Sequence, residues 1–349
     1  MTDQRQEGGR ESTNIQAGRD ITVSQGPSVE EVREIALDVF HRNFLQLQGL
    51  AEDVARGRAE KITNEFLKQL QDRNPAALES SKDPDMQLAL FSAQREYARS
   101  GDADLEQVLV DLLVDRASEQ HPGLRTIVLN EAITAAPKLT EDQRRAVALC
   151  FLVRYTRWTG AASVDAFYEE RIRQGLMPLV HGLPTSPAAY QHIEYVGAGS
   201  VDIGSTSIEE ALHRSARGWF TRGFTESELD ERLHRFTSDE TFFMPCMRDE
   251  SRLQLRASSA DDVDAIASAM GDPSLAEPVQ AALNVGAMTS TEIREDLLSH
   301  VPEAGELLDA WDGSDLNRLT LTTVGIAVGH GYWRRVTGKN AALKIWIPD

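Results

Sequence analysis

Three observations predict a mainly α fold: a multi-helical N-terminal domain, then a smaller α+β, winged-helix-like C-terminal domain. Between Pro27 and Pro184 one segment after another carries apolar residues at helical spacing, with only brief Gly, Pro or Asp breaks. Beyond that point short stretches of period two alternate with further helical segments. Ahead of both stands "STNIQAGRDITV", Ser12 to Val23, a short β segment folded about a glycine. The chain is accordingly divided into a tail and β self-association segment at 1–26, a helical domain at 27–185 and an α+β domain at 186–349.

Residues 1–13 are rich in Gly, Gln, Glu and Arg with almost no apolar side chains, too few to offset the entropy of ordering, and are expected to stay mobile. In the β segment Ile15 and Ala17 share one face before the turn, and Ile21 and Val23 share one after it. "AGRD" supplies Gly18, free to take positive φ, and Asp20, able to bond back to the backbone.

At "GPSVEEVREIALDVFHRNFLQL" the period lengthens from two to 3.6, with Val32, Ile35, Val39 and Leu45 near one side. Ser28 and Glu31 stand at capping-box spacing just after Pro27, a helix start. Helical segments follow in "AEDVARGRAEKITNEFLKQLQ", "PDMQLALFSAQREYARS", "DADLEQVLVDLLVDRAS", "LRTIVLNEAITAAP" and "TEDQRRAVALCFLVRYTRW". Short connections and modest helix lengths predict a packed antiparallel array rather than a long coiled coil.

"HGLPTSPAAYQ", with Pro184 and Pro187, reads as the linker. "HIEYVGAGSVDIGS" then reads as strand broken at Gly197 and Gly199. Helices resume in "SIEEALHRSARGWF", "TESELDERLHRF", "SADDVDAIASAM" and "TSTEIREDLLSHV", the last opened by Thr289 and Glu292 at capping-box spacing. In the tail "LNRLTLT" alternates, "TTVGIAVGHGYWRRVTG" forms a helix ended by Gly338, and "AALKIWI" alternates with Leu343, Ile345 and Ile347 on one face of a strand. Helix, helix, strand, helix, strand is the order found around the wing of winged-helix modules.

Composition narrows the function. With 36 Lys and Arg against 55 Asp and Glu the net charge is -19, so the field of the whole protein repels nucleic acid and anionic lipid. The segment "TSTEIREDLLSHVPEAGELLDAW" has one Arg among many acids, unlike a helix that reads DNA, and a protein-binding wing is the milder reading. Two cysteines, Cys150 and Cys246, are too few for a disulfide framework and lie in apolar settings typical of inert core thiols. No apolar stretch makes "MTDQRQEGGRESTN" a signal peptide, and no window has the roughly 18 apolar residues of a membrane span. A cytoplasmic protein without a membrane span is expected.

The β segment is the most unusual feature, because a lone two-armed β unit is marginal in water and needs further strands or a covering surface. Those strands come from the chain's own "SVDIG" or "LKIWI", or from the same segment of neighbouring copies. Intersubunit pairing is preferred, since the segment lies between a mobile tail and Gly26-Pro27 with nothing local to hold it on its own domain. Asn14, Ile15, Gln16, Gly18, Asp20, Ile21 and Val23 are the residues expected to build a homo-oligomer, with Asn14, Gln16 and Thr22 stacking as ladders.

Motifs for chemistry are sparse. Gly197, Gly199 and Gly204 are spaced G-x-G-x-x-x-x-G, not as a dinucleotide fingerprint, and no G-K-[ST] follows a P-loop spacing. No histidine pair has H-E-x-x-H spacing, and His192, His213, His234 and His330 read as helix-surface residues. No G-x-S-x-G elbow occurs, so no catalytic residue, metal ligand or cofactor is assigned. Arg214, Arg217 and Arg222, with Arg232 and Arg235, make the most basic local region, where an anion would bind if any does. A solvated face paired with Glu209, Glu226 and Glu231 is the preferred account. Gly325, Gly329 and Gly331 in "TVGIAVGHGYW" stand at close-packing spacings and suit a buried helix.

"STNIQAGRDITV" followed by "VREIALDVFHRNF" resembles the head of an uncharacterised bacterial protein family in which an N-x-Q-A-G-x-D-I type segment precedes a helical body. "YARSGDADLEQVLVDLLVDR", "APKLTEDQ", "YQHIEYVGAGSVDIG", "LTLTTVGIAVG" and "LKIWI" extend the resemblance over most of the chain. Such heads also resemble those of bacterial defence and signalling proteins, where they serve self-assembly or pairing with a cognate partner. The resemblance brings no reaction or catalytic residues, and the preferred expectation is a non-enzymatic bacterial cytoplasmic protein that self-assembles through the β segment and binds a protein partner, with phage defence as the setting that the likeness of such heads implies. The competing expectation is an effector enzyme or nucleotide-responsive sensor with its site near the Arg-rich stretch.

Overall fold

The computed structural model describes residues 27–43, 49–119, 121–157, 161–256, 262–339 and 341–348. The β segment, with Asn14, Ile15, Gln16, Gly18, Asp20, Ile21 and Val23, lies outside the described residues, as does Leu45. The protein is mainly helical. The helices of the first half are α1 (Val29–Asn43), α2 (Leu50–Arg73), α3 (Pro84–Ser100), α4 (Ala103–Ser118), α5 (Leu124–Ala135), α6 (Glu141–Cys150) and α7 (Val164–Phe167). The second half holds α8 (Pro187–Tyr195), strand β1 (Gly199–Val201), α9 (Ile208–Ser215), α10 (Glu231–His234), β2 (Phe243–Pro245), β3 (Leu253–Leu255), α11 (Val263–Ala269), α12 (Ala276–Ala282), α13 (Ser290–His300), α14 (Ala304–Asp312), β4 (Leu319–Leu321) and α15 (Thr323–Thr337). Among the described residues no helix is long and apolar enough to cross a membrane.

The helix starts follow local chemistry. Ser28 and Glu31 exchange side-chain to backbone hydrogen bonds at 2.8 and 3.2 Å, and Thr140 with Gln143 and Thr289 with Glu292 do the same. Gly338, at φ 65°, closes α15 through its N–H to the Arg334 carbonyl, a left-handed cap that a glycine makes without strain. The buried stripe of α1 is Val32, Ala36 and Phe40, whereas Ile35, expected inside, is 38% exposed.

One continuous core runs from Val32 to Ile347. Its centre is α15, which packs on α4, α5 and α6, so the last long helix lies among the helices of the first half. A second, smaller core of Phe224, Leu233, Phe243, Leu255, Val279 and neighbours holds residues 224–285, where the chain makes only short elements. Two small antiparallel pairs complete the fold. β1 pairs with β4 in the register Gly199 to Leu321, uniting two stretches predicted as strand, while β2 and β3 pair Phe243 with Leu255. The closing "AALKIWI" is a correction: residues 343–345 form a 3-10 turn that buries Leu343 and Ile347 and leaves Ile345 66% exposed. Its alternation is produced equally well by one turn that brings residues four apart to the same side.

Candidate functional site

A cavity of about 400 Å³ opens between the C-terminal end of α4, the start of α5 and the turn at 342–344. Asp115, Ser118, Glu119, His121, Arg125 and Lys344 line it. Its volume suits a small ligand, and its charged side chains share the walls with Ala342 and Leu343.

Beneath this cleft α4 and α15 face each other through ionised side chains. Asp111, buried, and Asp115, part-buried, stand one turn apart on α4, a helix otherwise almost wholly buried, and carboxylates withdrawn from water require partners. Arg334, only 7% exposed, supplies them: both oxygens of Asp115 accept from its Nη1 at 2.9 Å, and its Nη2 lies 3.3 Å from Asp111. Asp111 also accepts from Arg73 at 2.6 Å. Burial pushes the Asp115 carboxyl above the usual range, against the pull of Arg334. His330, one turn before Arg334 and 1% exposed, donates from Nε2 to the Ala341 carbonyl at 2.8 Å. Its Nδ1 stands 3.9 Å from Asp115, beyond hydrogen-bond reach. Burial, the largest influence, lowers its pKa to about 4, so the ring is neutral at neutral pH. His330 was expected on a helix surface; its own helix is instead enclosed on several sides.

On the cleft wall Arg125 binds Glu119 through two hydrogen bonds of 2.5 and 2.7 Å and donates to the Ile347 carbonyl at 3.1 Å, tying the C-terminal turn down. Ser118 donates to the Val114 carbonyl at 2.8 Å and accepts from Asn74 at 3.2 Å, so no base activates its hydroxyl. Asp111, Asp115 and Glu119 are each met by an arginine, and the arrangement can orient a bound group.

The arginines singled out in the sequence go to separate partners. Arg214 pairs with Glu210 at 3.0 Å along α9, Arg217 donates to the Leu283 carbonyl and Asn284 at 3.3 Å, and Arg222 binds Glu292 at the head of α13. Beside Arg217 lies a pocket of only about 20 Å³, room for a water molecule. Burial lowers the pKa of Arg217. Arg232 pairs with Asp230 at 2.8 Å and Arg235 sits over the Phe236 ring. The expected pairing with Glu209 and Glu226 is corrected: Glu209, 3% exposed, binds Arg294 at 2.5 Å, and Glu226 faces His234 at 3.8 Å. Of the other histidines, His192 contacts Gln143 at 3.1 Å, and His213 is part-buried with a lowered pKa caused chiefly by desolvation. Among the described residues no group of three or more His, Cys, Asp or Glu is placed to hold a metal ion.

Both cysteines are buried free thiols. Cys150 donates to the Leu319 carbonyl at 3.1 Å, and burial pushes its pKa up to about 12, far from a reactive thiolate.

The cleft was missed in the sequence because Arg334 and Asp115 are 219 residues apart. The one local sign was "VLVDLLVD", two carboxylates four apart in an apolar run. No curated protein and no solved structure matches the chain. A protein-family model described only as "-like", with no activity in its description, matches residues 26–347. Covering nearly the whole of the helical body and the tail, this match shows that the chain belongs to that uncharacterised family.

Proposed function

We propose that the protein is a non-enzymatic bacterial cytoplasmic protein that self-assembles through residues 12–23 and binds a protein partner, in phage defence. The observation that carries this reading is the sequence "STNIQAGRDITV": its β-forming residues need more backbone partners than a dozen residues supply. Support comes from the head of α1, where the Ser28 and Glu31 bonds fix the point at which the segment joins the body. Defence enters only through the likeness of such heads to those of bacterial defence and signalling proteins. For the partner, α3 and α5 hold exposed Leu88, Leu124 and Ile127 at 62, 54 and 61%, the apolar kind of contact a protein interface uses. The tail from Thr289 acts as a protein-binding, winged-helix-like wing in this reading. A sensor using Arg214, Arg217 and Arg222 finds less support, since each already meets protein groups.

Sedimentation of the full chain and of the chain lacking residues 1–26 tests self-assembly. An oligomer for the first and a single subunit for the second is expected; equal masses would reject the reading.

A further inference from the structure

We infer that the outer edge of β1, from Val201 to Ile203, is the docking site for the Ile21 to Val23 arm of a second copy of this chain, added as a third antiparallel strand. The inference rests on the self-assembly reading above and says where the arm goes.

The register decides which edge is open. Asp202 N–H donates to the Arg318 carbonyl at 2.9 Å and Thr322 N–H to the Ala198 carbonyl at 3.2 Å. Alternation then points the backbone groups of Ser200 and Thr320 inward between the strands, and those of Val201, Leu319 and Leu321 outward. On β4 those outward groups are engaged. The Leu319 carbonyl accepts from the Cys150 thiol at 3.1 Å, Leu319 N–H donates to the Leu316 carbonyl, and Leu321 N–H donates to the Tyr155 hydroxyl at 2.7 Å. The end of α6 and the turn after it thus close that edge, as proteins do where stray strand pairing must be avoided.

The β1 edge has no such cover. Gly199 is buried, but Val201 is half-buried and Asp202, Ile203 and Gly204 are exposed. Among the described residues no hydrogen bond reaches the outward backbone groups of Val201. Ile203 is 99% exposed, an apolar side chain on the unpaired edge, and Tyr195, at the end of the helix that precedes β1, is 86% exposed. Edge recognition of this kind draws affinity from main-chain hydrogen bonds and specificity from alternate side chains. Ile21, Thr22 and Val23 supply a matching alternation of matching length.

The tether favours another copy as the donor. Five residues separate Val23 from Val29 at the head of α1, so the tether reaches at most about 20 Å. The principal neighbours of α1 are α2, α3 and residues 75–82, whereas those of β1 are α8 and β4, so the two have none in common. Each copy offers one arm and one edge, and head-to-tail repetition generates a ring or filament.

Full-length variants test this by sedimentation. Val201→Pro deletes an outward N–H while sparing the β1–β4 hydrogen bonds, and Ile203→Lys places a charge on the edge at a fully exposed position. Ile21→Pro disables the arm. Helical circular dichroism checks each fold; should Val201→Pro misfold, Ile203→Lys decides. All three are expected to reduce the wild-type mass at least twofold, toward the 38.6 kDa subunit. An oligomer lost in Ile21→Pro but kept in the edge variants would overturn the β1 site while leaving self-assembly intact. A monomeric wild type, or an oligomer unaffected by Ile21→Pro, would overturn both.

Discussion

His330 is the residue whose chemistry most directly sets a measurable property. Burial lowers its pKa to about 4, whereas the unfolded chain offers it an ordinary value near ~6.5. The unfolded state therefore takes up a proton first, and stability present above about pH 6.5 is lost as the pH falls toward about 4. Two and a half units at ~1.36 kcal/mol each give about 3 kcal/mol over the window, and about 2 by pH 5. Urea unfolding at pH 7 and pH 5 should show His330→Gln losing clearly less stability than the wild type on acidification. An identical loss would assign the effect to other groups, such as part-buried His213, whose lowered pKa acts in the same direction. Arg334 above it is the second sensitive residue. Arg334→Met leaves buried Asp111 with Arg73 alone and part-buried Asp115 beside no cation at hydrogen-bond distance, and removing one partner of a buried pair costs up to about 3–5 kcal/mol. Arg334→Lys should recover only part of this, because an ammonium cannot reproduce the fork that serves Asp115 and Asp111 together. A urea midpoint for Arg334→Met within error of the wild type would mean the charges are solvated after all.

Among elements, α15 shows how glycine allows close approach. A Cβ at Gly325 would overlap the Ala198 carbonyl oxygen, one at Gly329 would meet Phe151 Cβ at 2.9 Å and the Val147 carbonyl at 3.1 Å, and one at Gly331 finds its nearest neighbour at 3.5 Å. Gly325→Ala should therefore destabilise by about 3 kcal/mol or more, since backbone must move. Gly331→Ala should be neutral or stabilising by up to about 1 kcal/mol, the helix-propensity gain. Equal urea midpoints for the two variants would contradict the packing account. The spacing of these glycines was legible in the sequence, as were the caps at Ser28 and Thr289 and the strand character of both partners in the β1–β4 pair, because each depends on residues within a few positions. What was not legible depends on distant ones. The β2–β3 hairpin had no alternation to mark it, and the π-helical turns at 151–155 and 168–176 continue helical patterns without a local signal. "AALKIWI" misled because only the packing of Trp346, whose Nε1 donates to the Tyr155 carbonyl at 2.7 Å, separates a turn from a strand. The pairing of Arg334 with Asp111 and Asp115 arises only once the chain has closed.

At the scale of the whole molecule, the position of α15 couples the two ends of the chain. Helices α4, α5 and α6 enclose it, so Val108, Leu112, Val147 and Phe151 lie against the C-terminal helix or its glycines. A fragment of residues 27–185 keeps every helix up to Pro184 but lacks α15, leaving those apolar faces, together with Asp111 and Asp115, without their counterpart. Exposed apolar surface weakens the cooperative transition and invites dye binding. The fragment should accordingly keep helical far-ultraviolet dichroism, bind ANS and unfold in urea over a broader range than the full chain. Residues 224–285, gathered around their own core, differ: they should exchange amide hydrogens faster than α4 and α15 without loss of the main core. A sharp urea transition for 27–185 with no dye binding would mean that the helices of the first half close without α15, and that the boundary at 185 divides two independently stable bodies.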